Sequence, residues 1–101
     1  METMNLNDIL EDLRLADEAI HRFERRYGVT SEQFYSLYAA GKLDDGQHAE
    51  EFSEWAGFYR LKLRREQAFR DLSLQRVRQL QAVGADGLVL LEPHSIMADA
   101  T

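Results

Sequence analysis

The sequence predicts an all-α chain of three helices, long, short and long, with helices 1 and 3 antiparallel and an extended C-terminal segment. Three observations carry this. Apolar residues from Leu6 to Tyr27 recur at spacings of three and four, the period of one helical face. Between Phe23 and Phe34 the chain holds a helix stop, a turn and a helix start with almost no residue to spare. From Gln47 to Ala82 no glycine except Gly57 and no proline interrupts a helical pattern.

Helix 1 is expected from about Asn7 to Tyr27. Leu6, Ile9, Leu13, Ala16, Ile20, Phe23 and Tyr27 form a heptad-like seam, widened on one side by Leu10. The seam suits core packing within the monomer or a coiled-coil contact with another chain. Gly28 stands where a helix closes on a left-handed residue, and Arg25 and Arg26 suit the negative end of the helix dipole.

Helix 2 is expected from about Ser31 to Ala40, with Gly41 as its stop. Thr30 reads as N-cap with Gln33 at N3, a capping box, and Val29 and Phe34 are placed as a hydrophobic staple. A helix this short depends on packing. In the connector, Asp44 or Asp45 is expected to cap the next helix, because a short carboxylate accepts bonds from free first-turn amides.

Helix 3 begins densely aromatic, with Phe52, Trp55, Phe58 and Tyr59, and continues through Leu61, Leu63, Ala68, Phe69, Leu72, Val77 and Leu80. These positions cover more than one stripe, so apolar surface should remain after helices 1 and 2 have packed, and such surface marks interfaces. Arg60, Lys62, Arg64, Arg65, Arg70, Arg76 and Arg78 make its second half basic, while residues 1–18 are rich in Asp and Glu. Antiparallel packing sets this basic half against the acidic start of helix 1. Parallel packing would oppose acid to acid.

Residues 1–84 therefore form the helical domain and residues 85–101 a tail. Within the tail, Leu88-Val89-Leu90-Leu91 lies between Asp86-Gly87 and Glu92-Pro93, either a strand or an extended segment that docks on a partner. As a strand, it would take its hydrogen bonds from another molecule. Ser95–Thr101 are expected to fray.

Composition narrows the function. A net charge of −6 argues against a general nucleic-acid binder. The absence of cysteine removes disulfides, thiolate metal sites and thiol catalysis, and fits a reducing compartment. No basic leader and no apolar run of bilayer length is evident, so a cytoplasmic chain without membrane contact is expected. Glu18-x-x-His21 has a spacing used in bundle metal sites, but no second such pair exists. His48 and His94 lack nucleophilic neighbours, and Asp44-Asp45-Gly46 lacks the alternating carboxylates of a calcium loop. No catalytic residue, metal or cofactor is expected.

The pattern Phe23-Glu24…Tyr27-Gly28-Val29-Thr30-Ser31-Glu32-Gln33-Phe34, then Gly41-Lys42-Leu43, Asp44-Asp45 and Glu54-Trp55, resembles small acidic helical proteins of bacteria and archaea. Many of these look like the antitoxin member of two-gene toxin–antitoxin pairs, matched to a small ribonuclease-like toxin. The likeness spans about Phe23–Leu63. Val29 replaces the usual Met and Gln33 the usual second Glu. Gly46-Gln47-His48-Ala49 is inserted before the acidic-aromatic block, and the tail beyond Gly84 has no counterpart.

The resemblance implies a non-enzymatic protein that binds and neutralises a cognate toxin. An acidic protein can cover a basic RNA-binding cleft and accelerate association by charge steering. The expected partner-binding residues are Phe52, Trp55, Phe58 and Tyr59 as anchors, with Asp44, Asp45, Glu50, Glu51 and Glu54 as a charged rim. Leu88, Val89, Leu90 and Leu91 would add a strand to the toxin's sheet edge. Two rivals stand beside this reading: a self-associating helical scaffold or adaptor, in which helix 3 pairs with its own copy as a homo-oligomer, and a nucleic-acid-binding regulator using the helix 3 arginines.

Overall fold

Asn5 caps the first helix by accepting a 2.8 Å bond from the Asp8 amide, and the helix starts at Leu6, one residue ahead of the expected Asn7. The computed structural model describes residues 4–93. In order it contains α1 (Leu6–Tyr27), α2 (Ser31–Ala39), a 3₁₀ turn (Gly46–His48) and α3 (Ala49–Val83). His94 and Ser95–Thr101 lie outside the described residues.

The junction between α1 and α2 follows its local chemistry. Gly28 takes φ 75°, the left-handed region where a side chain would clash with its own backbone, and its N–H reaches Glu24 O at 2.8 Å. Thr30 Oγ1 accepts from Gln33 N at 3.0 Å, and Gln33 Oε1 accepts from Thr30 N at 3.2 Å, completing the capping box. Phe34, expected to staple Val29, is instead buried on Trp55 with ring centroids 3.8 Å apart, while Val29 stays exposed.

The aspartate cap on the third helix does not form. Asp45 has helical angles (φ −80°, ψ −23°) and no side-chain cap bond, whereas a capping residue needs extended backbone to turn its oxygen onto the next amides. The 3₁₀ turn closes the end instead, through His48 N–H on Asp45 O at 2.6 Å.

Charge orders the two long helices as expected. Arg26 Nε lies 2.9 Å from Glu51, Lys62 Nζ 3.1 Å from Asp17 and Arg65 Nε 2.7 Å from Asp12. Numbers fall along α1 as they rise along α3, so the helices are antiparallel and the basic half of α3 meets the acidic start of α1. Ala16, Ala19 and Ala56 are buried, small residues that let the two backbones approach.

The core gathers one or two large residues from each helix: Ile20 and Phe23 from α1, Phe34 from α2, and Phe52 and Trp55 from α3. Trp55 is its centre. Phe23 and Tyr27 stack near the indole at 5.5 and 5.6 Å, in addition to Phe34. Each such pair contributes about 0.5–1.5 kcal/mol beyond its buried area.

At this register α1 runs out near Leu72, while α3 continues to Val83. The molecule is accordingly elongated, with extents of 59 × 29 × 29 Å. Beyond α3, Asp86 (φ 57°) and Gly87 (φ 74°) form the centre of a turn closed by Leu88 N on Ala85 O at 3.0 Å. Positive φ at both centres is the requirement that an Asp-Gly pair meets. The chain reverses, and Glu92 O accepts from Arg76 at 2.7 Å. Leu88–Leu91 is irregular and exposed, and no strand occurs among the described residues.

Candidate functional site

The residues expected to bind a partner separate into three groups. Phe52 and Trp55 are 6% and 1% exposed, so they serve the core and not the surface. The physical reason is α2: its short amphipathic face has no other apolar ground to settle on. Tyr59 is half-buried, its ring 5.3 Å from that of Tyr35, and its hydroxyl titrates above the ordinary range because of burial and then Glu32.

The second group is a rim at the start of α3. Asp44, Asp45, Glu50 and Glu54 are exposed, and none of them has an ion-pair partner among the described residues. Glu51 differs. It accepts from the Tyr27 hydroxyl and from Arg26 Nε, and these two donors, in that order, hold its carboxyl below the usual range. Glu51 is thus a tie between α1 and α3.

Glu54 continues into an open depression lined by Gly57, Phe58, Leu61 and Arg64. Glu50, Glu54, Phe58 and Leu61 are spaced three and four apart and share a face of α3. Phe58 and Leu61, half-buried, give this acidic rim an apolar centre that the buried Trp55 does not provide.

The third group, Leu88–Leu91, lies at the other end of α3. The chain turns back there and sets Glu92 beside Arg76, which follows Glu54 by 22 residues, roughly 33 Å along the helix. One flat surface does not include both.

A polar relay at the centre of the fold was not anticipated from sequence. Trp55 Nε1 donates to Ser31 Oγ at 2.8 Å, Ser31 donates from Oγ and N to Glu24 Oε2 at 2.8 and 2.9 Å, and Glu24 Oε1 lies 2.7 Å from His21 Nδ1. Burial pushes the Glu24 carboxyl up, but the bonds from His21 and Ser31 outweigh it and leave it lowered. The relay joins all three helices. Its one sequence signal is Glu24 set a turn before Gly28, with Ser31 just past the cap.

Candidate chemistry elsewhere is occupied by structure. Glu18 bonds Arg14 at 2.9 Å while His21 turns to Glu24, so the Glu18-x-x-His21 pair does not converge. His48 meets Tyr27 edge-on at 5.8 Å. Among the described residues no three His, Asp or Glu side chains are grouped to hold a metal ion, and no helix is long and apolar enough to cross a membrane. Of the basic residues on α3, Lys62 and Arg65 are set on Asp17 and Asp12, and Arg60 bonds the Tyr35 hydroxyl at 3.4 Å. No family model matches this sequence, and no curated protein or solved structure matches it either.

Proposed function

We propose that this chain is a non-enzymatic, protein-binding antitoxin that neutralises a cognate RNA-cleaving toxin by covering its active cleft. The observation that supports this best is the exposed acidic rim of Asp44, Asp45, Glu50 and Glu54, without ion-pair partners among the described residues, running into the apolar patch of Phe58 and Leu61. A cleft that binds RNA is basic. An acidic rim steers the encounter, and an apolar centre supplies the anchoring contact. Trp55 and Phe52 act in this reading as the rigid support of that face. The resemblance over Phe23–Leu63 points the same way.

Co-expression with the protein encoded by the adjacent gene tests the reading. The intact chain should restore growth that the neighbour alone arrests. Glu50→Lys with Glu54→Lys should abolish the rescue while leaving the melting temperature near that of the parent, since both positions are exposed. Toxicity that persists with the intact chain, or a neighbour that is harmless alone, sinks the proposal.

A further inference from the structure

Gly57 is the one glycine inside an α-helix among the described residues. Glycine loses more backbone freedom on ordering than any other residue, and after proline it is the poorest former of a helix interior. A fold keeps one where the backbone turns left-handed or where a packed neighbour leaves no room for a Cβ. Neither holds at Gly57. Its backbone is helical, and a Cβ there would meet no packing neighbour within 4 Å. The contacts of α3 with α1 and α2 are made elsewhere on its circumference, through Phe52, Trp55, Tyr59, Lys62 and Arg65. Nothing within the chain calls for the missing side chain.

The space it leaves has a defined shape. Glu54, Gly57, Phe58 and Leu61 stand at i, i+3, i+4 and i+7, the four corners of the hole that receives one side chain of a facing helix in knobs-into-holes packing. Together with Arg64 they line the open depression on this side of α3. Phe58 and Leu61, both half-buried, make apolar walls. At Gly57 the floor is bare backbone. Charge brackets the hole: Glu50 and Glu54 at one end and Arg64 at the other are exposed, and none has an ion-pair partner among the described residues.

We infer that Gly57 is the specificity determinant of the partner surface: its missing Cβ opens this hole to one bulky apolar side chain carried on a helix of the toxin. The inference deepens the proposed function and rests on it. The occupant is helical because the hole has the spacing of helix-on-helix packing, and a small residue at such a contact lets two backbones approach. The charges state the rest of its chemistry. Lys or Arg beside the knob meets Glu50 and Glu54, and an acidic residue one or two turns away meets Arg64. Nucleic acid does not suit the site, since its phosphates would face the acidic rim and leave Phe58 and Leu61 in water.

The test pairs thermal melting of the full chain with calorimetric titration against the purified product of the adjacent gene, for the parent, Gly57→Ala and Gly57→Leu. Gly57→Ala should melt about 2–8 °C above the parent, because alanine suits a helix interior better and meets no obstacle. The same variant should bind at least ~10-fold more weakly, and Gly57→Leu more weakly still, because each fills the seat of the knob. A glycine kept for the fold cannot give these opposite signs. A melting temperature that does not rise in Gly57→Ala assigns the glycine to the fold and overturns the inference without reference to any partner. A rise with unchanged affinity overturns it too, while binding by the parent leaves the proposed function standing. A parent that does not bind the neighbour sinks the proposed function and this inference with it. Sedimentation of the chain alone covers the remaining occupant: a dimer that Gly57→Leu dissociates assigns the hole to a second copy and overturns the inference.

Discussion

Trp55 Nε1 donates to Ser31 Oγ at 2.8 Å, and through that bond the largest side chain of α3 is tied to the first residue of α2. Ser31 is 3% exposed, and its own hydroxyl proton goes to Glu24 on α1. Stacked rings supply most of the core's burial, but rings can slide over one another. A buried polar bond fixes one arrangement, because leaving either partner unpaired is costly.

Ser31→Ala should therefore lower stability by roughly 1–3 kcal/mol, the cost of stranding a buried donor and weakening the hold on Glu24. Trp55→Phe tests the same bond from the other side and keeps much of the stacking. Trp55→Ala, which empties the centre of the core, should cost about 3–5 kcal/mol. Urea unfolding followed by circular dichroism measures all three. An unchanged midpoint for Ser31→Ala would mean that the indole and Glu24 find equivalent partners without it.

Glu24 makes the fold sensitive to acid. Its carboxyl lies below the ordinary value of 4.5 because the bonds from His21 and Ser31 outweigh burial. A carboxylate lowered in the folded state stabilises it at every pH above the unfolded value, and that contribution fades as pH falls through the folded value. Glu24→Gln should accordingly melt below the parent at neutral pH, with the gap closing on acidification. Thermal scans from about pH 7 to about pH 3 read this directly. A gap that stays constant would assign Glu24 a role that does not depend on its charge.

At the helix junction two local substitutions should act through the backbone. Gly28→Ala places a side chain at φ 75°, a conformation that costs roughly 1–2 kcal/mol. Thr30→Ala removes the acceptor for Gln33 N, at about 0.5–2 kcal/mol. Gly28→Asn, which tolerates the left-handed region, should recover part of the first loss. Equilibrium unfolding of the three variants separates conformational cost from general damage to the turn.

What was legible in the sequence was local or strongly periodic. Gly28, Thr30 and Gln33 specify their own geometry within a few residues, and the seam of α1 needs only its spacing. The antiparallel order was legible because charge is uneven along both long helices. The Asp45 cap failed as an expectation because a 3₁₀ turn, unmarked in composition, gives Asp45 helical angles. Periodicity also shows that Trp55 lies on an apolar face without saying what covers that face. Whether α2 or a partner does so depends on the path of a connector, which no residue spacing encodes. The Ser31–Trp55 bond was beyond reach for the same reason, since its partners are 24 residues apart in sequence. Leu88–Leu91 was readable as apolar but not in direction, because the turn at Asp86-Gly87 sends it back towards Arg76.

Arg65 and Asp12 provide a measure of how much charge contributes to the helix order. Their side chains are 25% and 32% exposed, with Nε–Oδ2 at 2.7 Å. Arg14 and Glu11 approach equally closely but are 58% and 56% exposed and lie within one helix. Solvent screens the second pair more and its geometry is held by longer free side chains, so a double-mutant cycle on Arg14–Glu11 should give the smaller coupling. The Arg65–Asp12 cycle should give about 1 kcal/mol and respond less to added salt. Exchanging the two charges, Asp12→Arg with Arg65→Asp, should recover part of what each single substitution loses. If both cycles return the same small coupling, the antiparallel order rests on apolar packing around Ile20, Phe23 and Trp55, and the charges merely follow it.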